Sequence, residues 1–414
     1  MSKVKFIPGL FALLRMKKER QARIASAPAE KLPDPISALA KAMHPDELKL
    51  TITNIIAEND SVKTYRLQPA KVSSGLPVFL AGQYISVDLT IEGCYTTRAY
   101  TISSAPYEAE GTNGYYEISI RKKPGGFASS FIWDNWEKGL VISASGPHGD
   151  FFYSPLRDTK EIVALAGGTG ITPFRSMMKQ FAFRETDMKM TIMYGCKNDC
   201  DLLFEKELGD LCQRFPDRLQ RFDTFEETDS SDLRQGYIDA GFIRDHLPEP
   251  SEKTFFICGP SIMYSFMEKE LQKLGSLERK QMRFEVGGTP DNVTLMAGYP
   301  SENAGKTINI EVHIGESRTV ISAKTTESIL VAVEKNGLVL DSCCRSGECG
   351  ICRSKLISGE VYILPDHDGR RAVDKELGYI HPCSTYPLSD LAIRIPPGKH
   401  VKEPPQKQPT LSKS

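Results

Sequence analysis

"DSCCRSGECGICRSKL", Asp341 to Leu356, sets Cys343, Cys344, Cys349 and Cys352 within ten positions. Cys344 to Cys349 is C-x4-C, Cys349 to Cys352 is C-x2-C, and a further thiol, Cys383, follows in "YIHPCST". Disulfides fit poorly, because a secreted disulfide scaffold is short and cysteine-dense throughout. This chain has 414 residues and ten cysteines, half of them scattered over its first three hundred residues. Structural zinc usually takes two short knuckles, and only one is present. An iron–sulfur cluster fits better. Three thiolates of one loop must wrap one side of it, with backbone N–H groups aimed at sulfur, and the fourth must arrive from a distant segment. Ser346, Gly347 and Gly350 are the small residues that let a chain bend so closely. Only Cys344 leaves the four-residue gap to Cys349, so Cys343 reads as a buried neighbour.

The spacing of Cys344, Cys349, Cys352 and Cys383 matches that of plant-type 2Fe–2S ferredoxins. Around it, "TINIEVHIG" and "SRTVISA" read as a hairpin, and "ESILVAVEKNG" as a helix closed by Gly337. Residues 307–396 thus resemble the β-grasp fold of those ferredoxins.

Upstream the texture changes twice. Residues 49–157 hold short alternating segments punctuated by glycine ("GQYISVDLTI", "YYEISIRKK"), which predict an antiparallel β-barrel. Residues 158–285 alternate buried strands with helical stretches ("EIVALAG", "PFRSMMKQFAF", "MKMTIMYGC", "KTFFICG"), which predict a parallel α/β domain. Residues 286–306 are rich in Gly, Pro and Asn and read as a linker. Residues 397–414 read as a disordered tail.

Two motifs in the barrel segment suit a flavin. "RAYTISSAP" offers Arg98 for a phosphate, Tyr100 for the isoalloxazine ring, Thr101 for a hydroxyl near N5, and Ser104. "GGFASS" follows with Gly126, Phe127, Ala128 and Ser129, whose amides at a helix start would meet a pyrophosphate. Ile120, on the intervening strand, joins the candidate flavin contacts. In the α/β segment "LAGGTGITPF" places Gly167, Gly168, Thr169, Gly170, Thr172 and Pro173 between strand and helix, where glycines admit a pyrophosphate. "FFICGP" puts Cys258, Gly259 and Pro260 after the last strand.

Together these motifs resemble the ferredoxin–NADP reductase family. Their order resembles its multidomain members with a C-terminal 2Fe–2S domain, of the phenylacetyl-CoA epoxidase reductase and 3-ketosteroid hydroxylase reductase type. The resemblance implies an NAD(P)H:acceptor oxidoreductase that passes electrons through a flavin and the cluster to a partner protein. FAD is favoured, with FMN open. NADH is favoured over NADPH because Cys196, Lys197 and Asn198 stand where an arginine would grip a 2′-phosphate. It also implies that Cys258 sits beside the nicotinamide C4 and that Glu285 faces the flavin. The acceptor stays open among an oxygenase, a hydroxylase, a hybrid-cluster protein and a corrinoid protein. A free flavin or quinone reductase, and a non-catalytic zinc- and nucleotide-binding module, are the rival readings.

A net charge of −1 argues against a nucleic-acid partner. Residues 1–48 form a basic extension and a Pro-rich linker. Residues 1–24 carry seven basic residues against Glu19 alone. Two readings of that segment remain, a helix docked on protein and an amphipathic helix on an anionic membrane surface. Cysteine usage and the lack of an apolar run of roughly 18–20 residues predict a cytoplasmic protein, peripheral at most to a membrane.

Overall fold

The computed structural model describes residues 6–26, 34–43, 45, 47–71, 75–184, 187–275, 277–285, 287–290 and 292–399. The tail reading falls largely on residues 400–414, outside these. The chain divides into two compact units, residues 1–42 and 43–414.

The first unit holds α1 (Phe6–Ala25) and the start of α2 (Pro35–Met43). Pro8 and Gly9 fall in the first turn of α1, where a missing N–H costs no helical hydrogen bond. Phe11, Leu13, Leu14 and Met16 are exposed beside Arg15, Lys17, Lys18 and Arg20. Among the described residues no helix is long and apolar enough to cross a membrane.

The second unit begins with a six-stranded antiparallel sheet. Its strands are β1 (Leu48–Ala57), β2 (Val62–Pro69), β3 (Tyr84–Ile91), β4 (Cys94–Thr101), β5 (Tyr116–Arg121) and β6 (Val141–His148), in the order β4-β3-β6-β1-β2-β5. An antiparallel bridge between Ile102 and Ile118 joins the two ends and closes the barrel. β3 and β4 are linked by Glu92 and Gly93, with φ of 51° and 80°, the pair of left-handed residues that a two-residue hairpin turn of matching twist needs. Alternate side chains point inward. Leu50, Ile52, Leu67, Ile85, Val87 and Ile118 fill the interior, and α3 (Phe127–Asn135) lends it Ala128 and Ile132.

Next come β7 (Glu161–Gly167), α4 (Thr172–Phe183), β8 (Lys189–Cys196), α5 (Glu205–Arg214), β9 (Leu219–Phe225), α6 (Ala240–His246), β10 (Thr254–Cys258), α7 (Ser261–Gln272) and β11 (Met282–Glu285). The strands are all parallel, in the order β11-β10-β7-β8-β9. Thr254 to Cys258 are buried without a break, as a strand covered on both faces requires. The order reverses between β7 and β10, which opens a crevice at their carboxyl ends.

A buried ionic seam joins this domain to the barrel. Arg175 of α4 donates to Glu117 of β5 at 2.8 Å and to Glu207 of α5 at 2.5 Å. Lys179 bonds Glu108 at 2.8 Å, and Ser176 Oγ donates to the Ser104 carbonyl at 2.6 Å.

The third region comprises β12 (Thr307–Ile314), β13 (Ser317–Lys324), α8 (Ile329–Lys335), β14 (Ser354–Ser358), β15 (Val361–Ile363), α9 (Ala372–Glu376), β16 (Tyr379–Ile380), β17 (Thr385–Pro387) and β18 (Leu391–Ile395). Its sheet runs β13-β12-β18-β14-β16, with β12 and β18 parallel at the centre and α8 packed on it. Ser328 caps α8 by accepting from Val331 N. Segment 286–306 is not a bare tether. Tyr299 Oη donates to the Thr325 carbonyl and Tyr362 Oη to that of Ala297, and the two rings meet edge to face at 5.3 Å.

Candidate active site

The glycines after β7 are explained by what they touch. A Cβ on Gly170 would stand 2.1 Å from the Cys258 carbonyl oxygen, and one on Gly167 would stand 2.9 Å from Cδ of Pro260. The two turns at the sheet reversal therefore pack backbone to backbone, and only glycine permits that approach. Tyr194 Oη donates to the Gly168 carbonyl at 3.0 Å and holds the first turn in place.

Cys258 ends β10 directly opposite Glu285 on β11. Burial, with the Glu285 charge adding to it, pushes the Cys258 thiol well above its ordinary range. Cys258 is therefore a neutral thiol, suited to touching a ring and unsuited to nucleophilic attack. Burial also raises Glu285 to about 8, reinforced by the charges of Glu348, Cys344 and Asp150. Tyr264 Oη donates to the carbonyls of Gly259 and Glu285 and ties the two strand ends together.

On the barrel side Arg98 donates from Nη1 to Thr96 Oγ1 and to the Thr97 carbonyl, both at 2.6 Å. Burial and the nearby Arg345 charge pull it down to about 10. A guanidinium so placed, with no carboxylate hydrogen-bonded to it among the described residues, lacks the anion that a phosphate would supply. The first turn of α3 begins at Gly126 with no side chain capping its amides, which leaves them to a ligand.

The cysteine loop bends through Arg345, Gly347 and Gly350, with φ of 55°, 85° and 71°. A Cβ on Gly347 would lie 1.9 Å from the His367 carbonyl. His367 and His381 bond the carbonyls of Ser346 and Gly347 at 3.2 and 2.6 Å and brace the bend from behind. The sulfurs of Cys344 and Cys349 lie within hydrogen-bonding reach of each other, as do those of Cys352 and Cys383, and Cys383 also reaches Cys344. The backbone amides of Ser346 and Cys349 donate to Cys344 Sγ at 3.4 Å each. Among the described residues no group of three or more His, Cys, Asp or Glu side chains is set around a single metal ion. Two adjacent thiol pairs with amides aimed at sulfur fit a two-iron cluster instead. Cys343 also approaches Cys349, but it leans on the barrel, its sulfur 3.8 Å from Tyr84 Oη.

All three groups face one cavity of about 1410 Å³. Arg98, Tyr100, Thr101, Ile120 and Gly126 to Ser129 line one wall. Gly167 to Gly170, Thr172, Cys258, Gly259, Pro260 and Glu285 line another. Cys344, Arg345, Ser346 and Glu348 of the cysteine loop, with Val331 of α8, form a third. Two expected contacts lie elsewhere. Ser104 is fully buried in the ionic seam, where its Oγ accepts from Glu117 N, and Pro173 is buried in the first turn of α4. Ser104 serves packing between barrel and α/β domain, where its carbonyl accepts from Ser176 Oγ. No motif pointed to Arg345 and Glu348 as wall residues, although they stand between Cys344 and Cys349, because nothing local to them signals a second domain.

Comparison with known proteins agrees with this geometry. The family model described as "Oxidoreductase FAD-binding domain" matches residues 47–153, "Oxidoreductase NAD-binding domain" matches 164–269, and "2Fe-2S iron-sulfur cluster binding domain" matches 312–388. The chain is built of these three domains, in the order of a flavin- and NAD-binding oxidoreductase with a C-terminal 2Fe–2S domain. This reductase is 27% identical over 329 residues to the glycine betaine monooxygenase reductase subunit of Chromohalobacter salexigens, covering 77% of this chain and 87% of that one. It is 25% identical over 355 residues to a subunit of the 1,2-phenylacetyl-CoA epoxidase of Escherichia coli, covering 83% and 96%. The solved structure of phthalate dioxygenase reductase shares its fold, with a TM-score of 0.61, 21% identity, and 84% and 98% coverage.

The reductase passes electrons from NAD(P)H, by way of FAD and the 2Fe–2S cluster, to a protein acceptor. Bound there, FAD would supply hydride acceptance and the cluster one-electron relay. The chain itself positions and insulates. Cys258 and Glu285, both raised by burial, add little negative charge to the cavity wall, and Tyr264 fixes both strand ends.

Proposed function

We propose that this reductase oxidises NADH and serves a dedicated oxygenase or hydroxylase. One observation carries the reading: the flavin, nicotinamide and cluster motifs line a single cavity, so each transfer crosses one wall. The relatives named as monooxygenase and epoxidase subunits support an acceptor of that kind over a hybrid-cluster or corrinoid protein. In this reading Arg98, Tyr100, Thr101, Ile120 and Gly126 to Ser129 hold FAD, and Gly167 to Gly170, Thr172, Gly259 and Pro260 hold the dinucleotide. Cys258, Thr101 and Glu285 position nicotinamide against flavin, while Cys344, Cys349, Cys352 and Cys383 hold the cluster. Exposed Cys349 and Ile351 mark the exit toward the partner.

NADH is preferred because Lys197 lies 4.0 Å from Glu227, and Glu226 lines the rim beside it. Carboxylates there repel a 2′-phosphate and accept from a ribose hydroxyl. Residues 49–157, 158–285 and 307–396 act as flavin, nicotinamide and cluster domains.

Helix α1, with apolar and basic residues exposed together, suits a partner surface or an anionic membrane, and co-sedimentation of the full chain with anionic vesicles separates the two. Anaerobic titration with NADH tests the main reading. The expected result is bleaching of flavin and cluster absorption together, with NADPH much less effective. A colourless protein holding zinc would overturn it. A chain whose turnover with its native acceptor survives deletion of 307–414 would instead be a free flavin or quinone reductase.

A further inference from the structure

Arg98 and Arg345 converge on one hydroxyl. Arg98, from β4 of the barrel, donates to Thr96 Oγ1 at 2.6 Å. Arg345, from the cysteine loop, donates to the same oxygen at 3.2 Å. Both arginines line the cavity. Arg345 is neutralised by Glu334 of α8, at 2.5 and 2.9 Å, but Arg98 hydrogen-bonds only the neutral oxygens of Thr96 and Thr97 among the described residues. Two cations from two domains thus stand beside one carboxylate, which is bonded to Arg345, and among the described residues no carboxylate is hydrogen-bonded to Arg98. The arrangement is rigid on both sides. Arg345 is fixed by its fork on Glu334 and by a left-handed backbone that residues other than glycine rarely adopt. Ser342 and Cys343 seal the same contact, bonding Thr97 Oγ1 at 2.8 Å and Ser86 Oγ at 3.2 Å.

We propose that the flavin phosphate binds between Arg98 and Arg345, so that the ferredoxin domain completes the flavin site of the barrel. The proposal rests on the reading of Arg98 as the flavin's phosphate residue. A phosphate offers several acceptor oxygens and matches the planar fork of arginine, so one group can satisfy both side chains and cancel their repulsion. Flavin affinity and ferredoxin docking are then coupled, and by linkage each strengthens the other by the same factor. The flavin becomes the tie that holds the cluster at its transfer distance.

Flavin dissociation from the full-length holoprotein, followed by recovery of flavin fluorescence, tests this. Cluster absorption reports in every variant whether the ferredoxin domain is intact. Arg98→Gln and Arg345→Gln should each weaken flavin binding roughly ten- to a hundredfold. The double variant should lose less than the product of the two, because both act on one phosphate. If Arg345→Gln loses its cluster, Arg345→Lys carries the test, with flavin held several-fold more weakly and the cluster kept. An Arg345 variant with its cluster intact and parental flavin affinity would overturn the bridge, as would strict multiplicativity in the double variant. If Arg98→Gln also leaves flavin affinity unchanged, the underlying reading of the flavin site fails with it.

Discussion

Cys258 and Glu285 stand side by side at the ends of adjacent parallel strands, paired in register and facing one cavity. Among the described residues neither has a counter-ion, and burial keeps both protonated toward neutral pH. Their roles are therefore steric and electrostatic. Cys258→Ala should slow NADH-dependent flavin reduction about ten- to a hundredfold while FAD and cluster remain bound. Stopped-flow absorbance would show this, and an unaltered rate would remove Cys258 from the transfer geometry.

Glu285 gives stability a pH dependence of known sign. Its folded value of about 8 lies above the ordinary 4.5, so the folded protein keeps a proton that the unfolded chain releases. Stability from this group is fully present below about 4.5 and is lost as pH rises through about 8. Thermal unfolding of Glu285→Gln should show a flatter profile across that window than the parent. Identical slopes would mean the carboxyl titrates normally.

Arg175 holds the barrel to the α/β domain. Its side chain and that of Glu117 are 9% and 1% exposed, and Glu207 shares the pair. Arg175→Ala leaves Glu117 to Arg66 alone and should destabilise the interface by about 3 kcal/mol. Urea denaturation of the full chain measures this. A loss below about 0.5 kcal/mol, the level of an ordinary surface change, would show that the seam is not what holds the domains together.

Gly170→Ala should separate dinucleotide binding from the other cofactors. The added Cβ meets the Cys258 carbonyl, so the turn after β7 must shift. NADH should then reduce the enzyme at least about a hundredfold less efficiently, while dithionite still bleaches flavin and cluster normally. Retained NADH efficiency would show that the turns can part freely.

Cys343 and Cys344 are neighbours with opposite expectations. Cys344 accepts two backbone amides at its sulfur, whereas Cys343 packs toward Tyr84. Cys343→Ser should keep the full iron content and visible spectrum, and Cys344→Ser should lose both. Loss of iron from the Cys343 variant would reassign the ligand.

Domain order, the spacing of the thiols and the two glycine-bearing turns are properties of local pattern, and so the chain alone determined them. Cys344, Cys349 and Cys352 follow a spacing that one loop imposes, and Gly167 to Gly170 follow from a strand turning into a helix. Contacts between domains leave no such trace. Ser104 sits inside a flavin-like motif, yet its hydroxyl serves a buried seam set by Glu117 and Arg175, which lie far away in sequence. Segment 286–306 has a linker's composition, yet Tyr299 and Tyr362 anchor it through an edge-to-face contact and two hydrogen bonds. Arg98 meets Arg345 over Thr96, which lies 249 positions before Arg345, only because of how the ferredoxin domain docks. The tertiary structure alone decided that meeting, because side-chain identity sets what a residue can bind, and packing between domains sets what it meets.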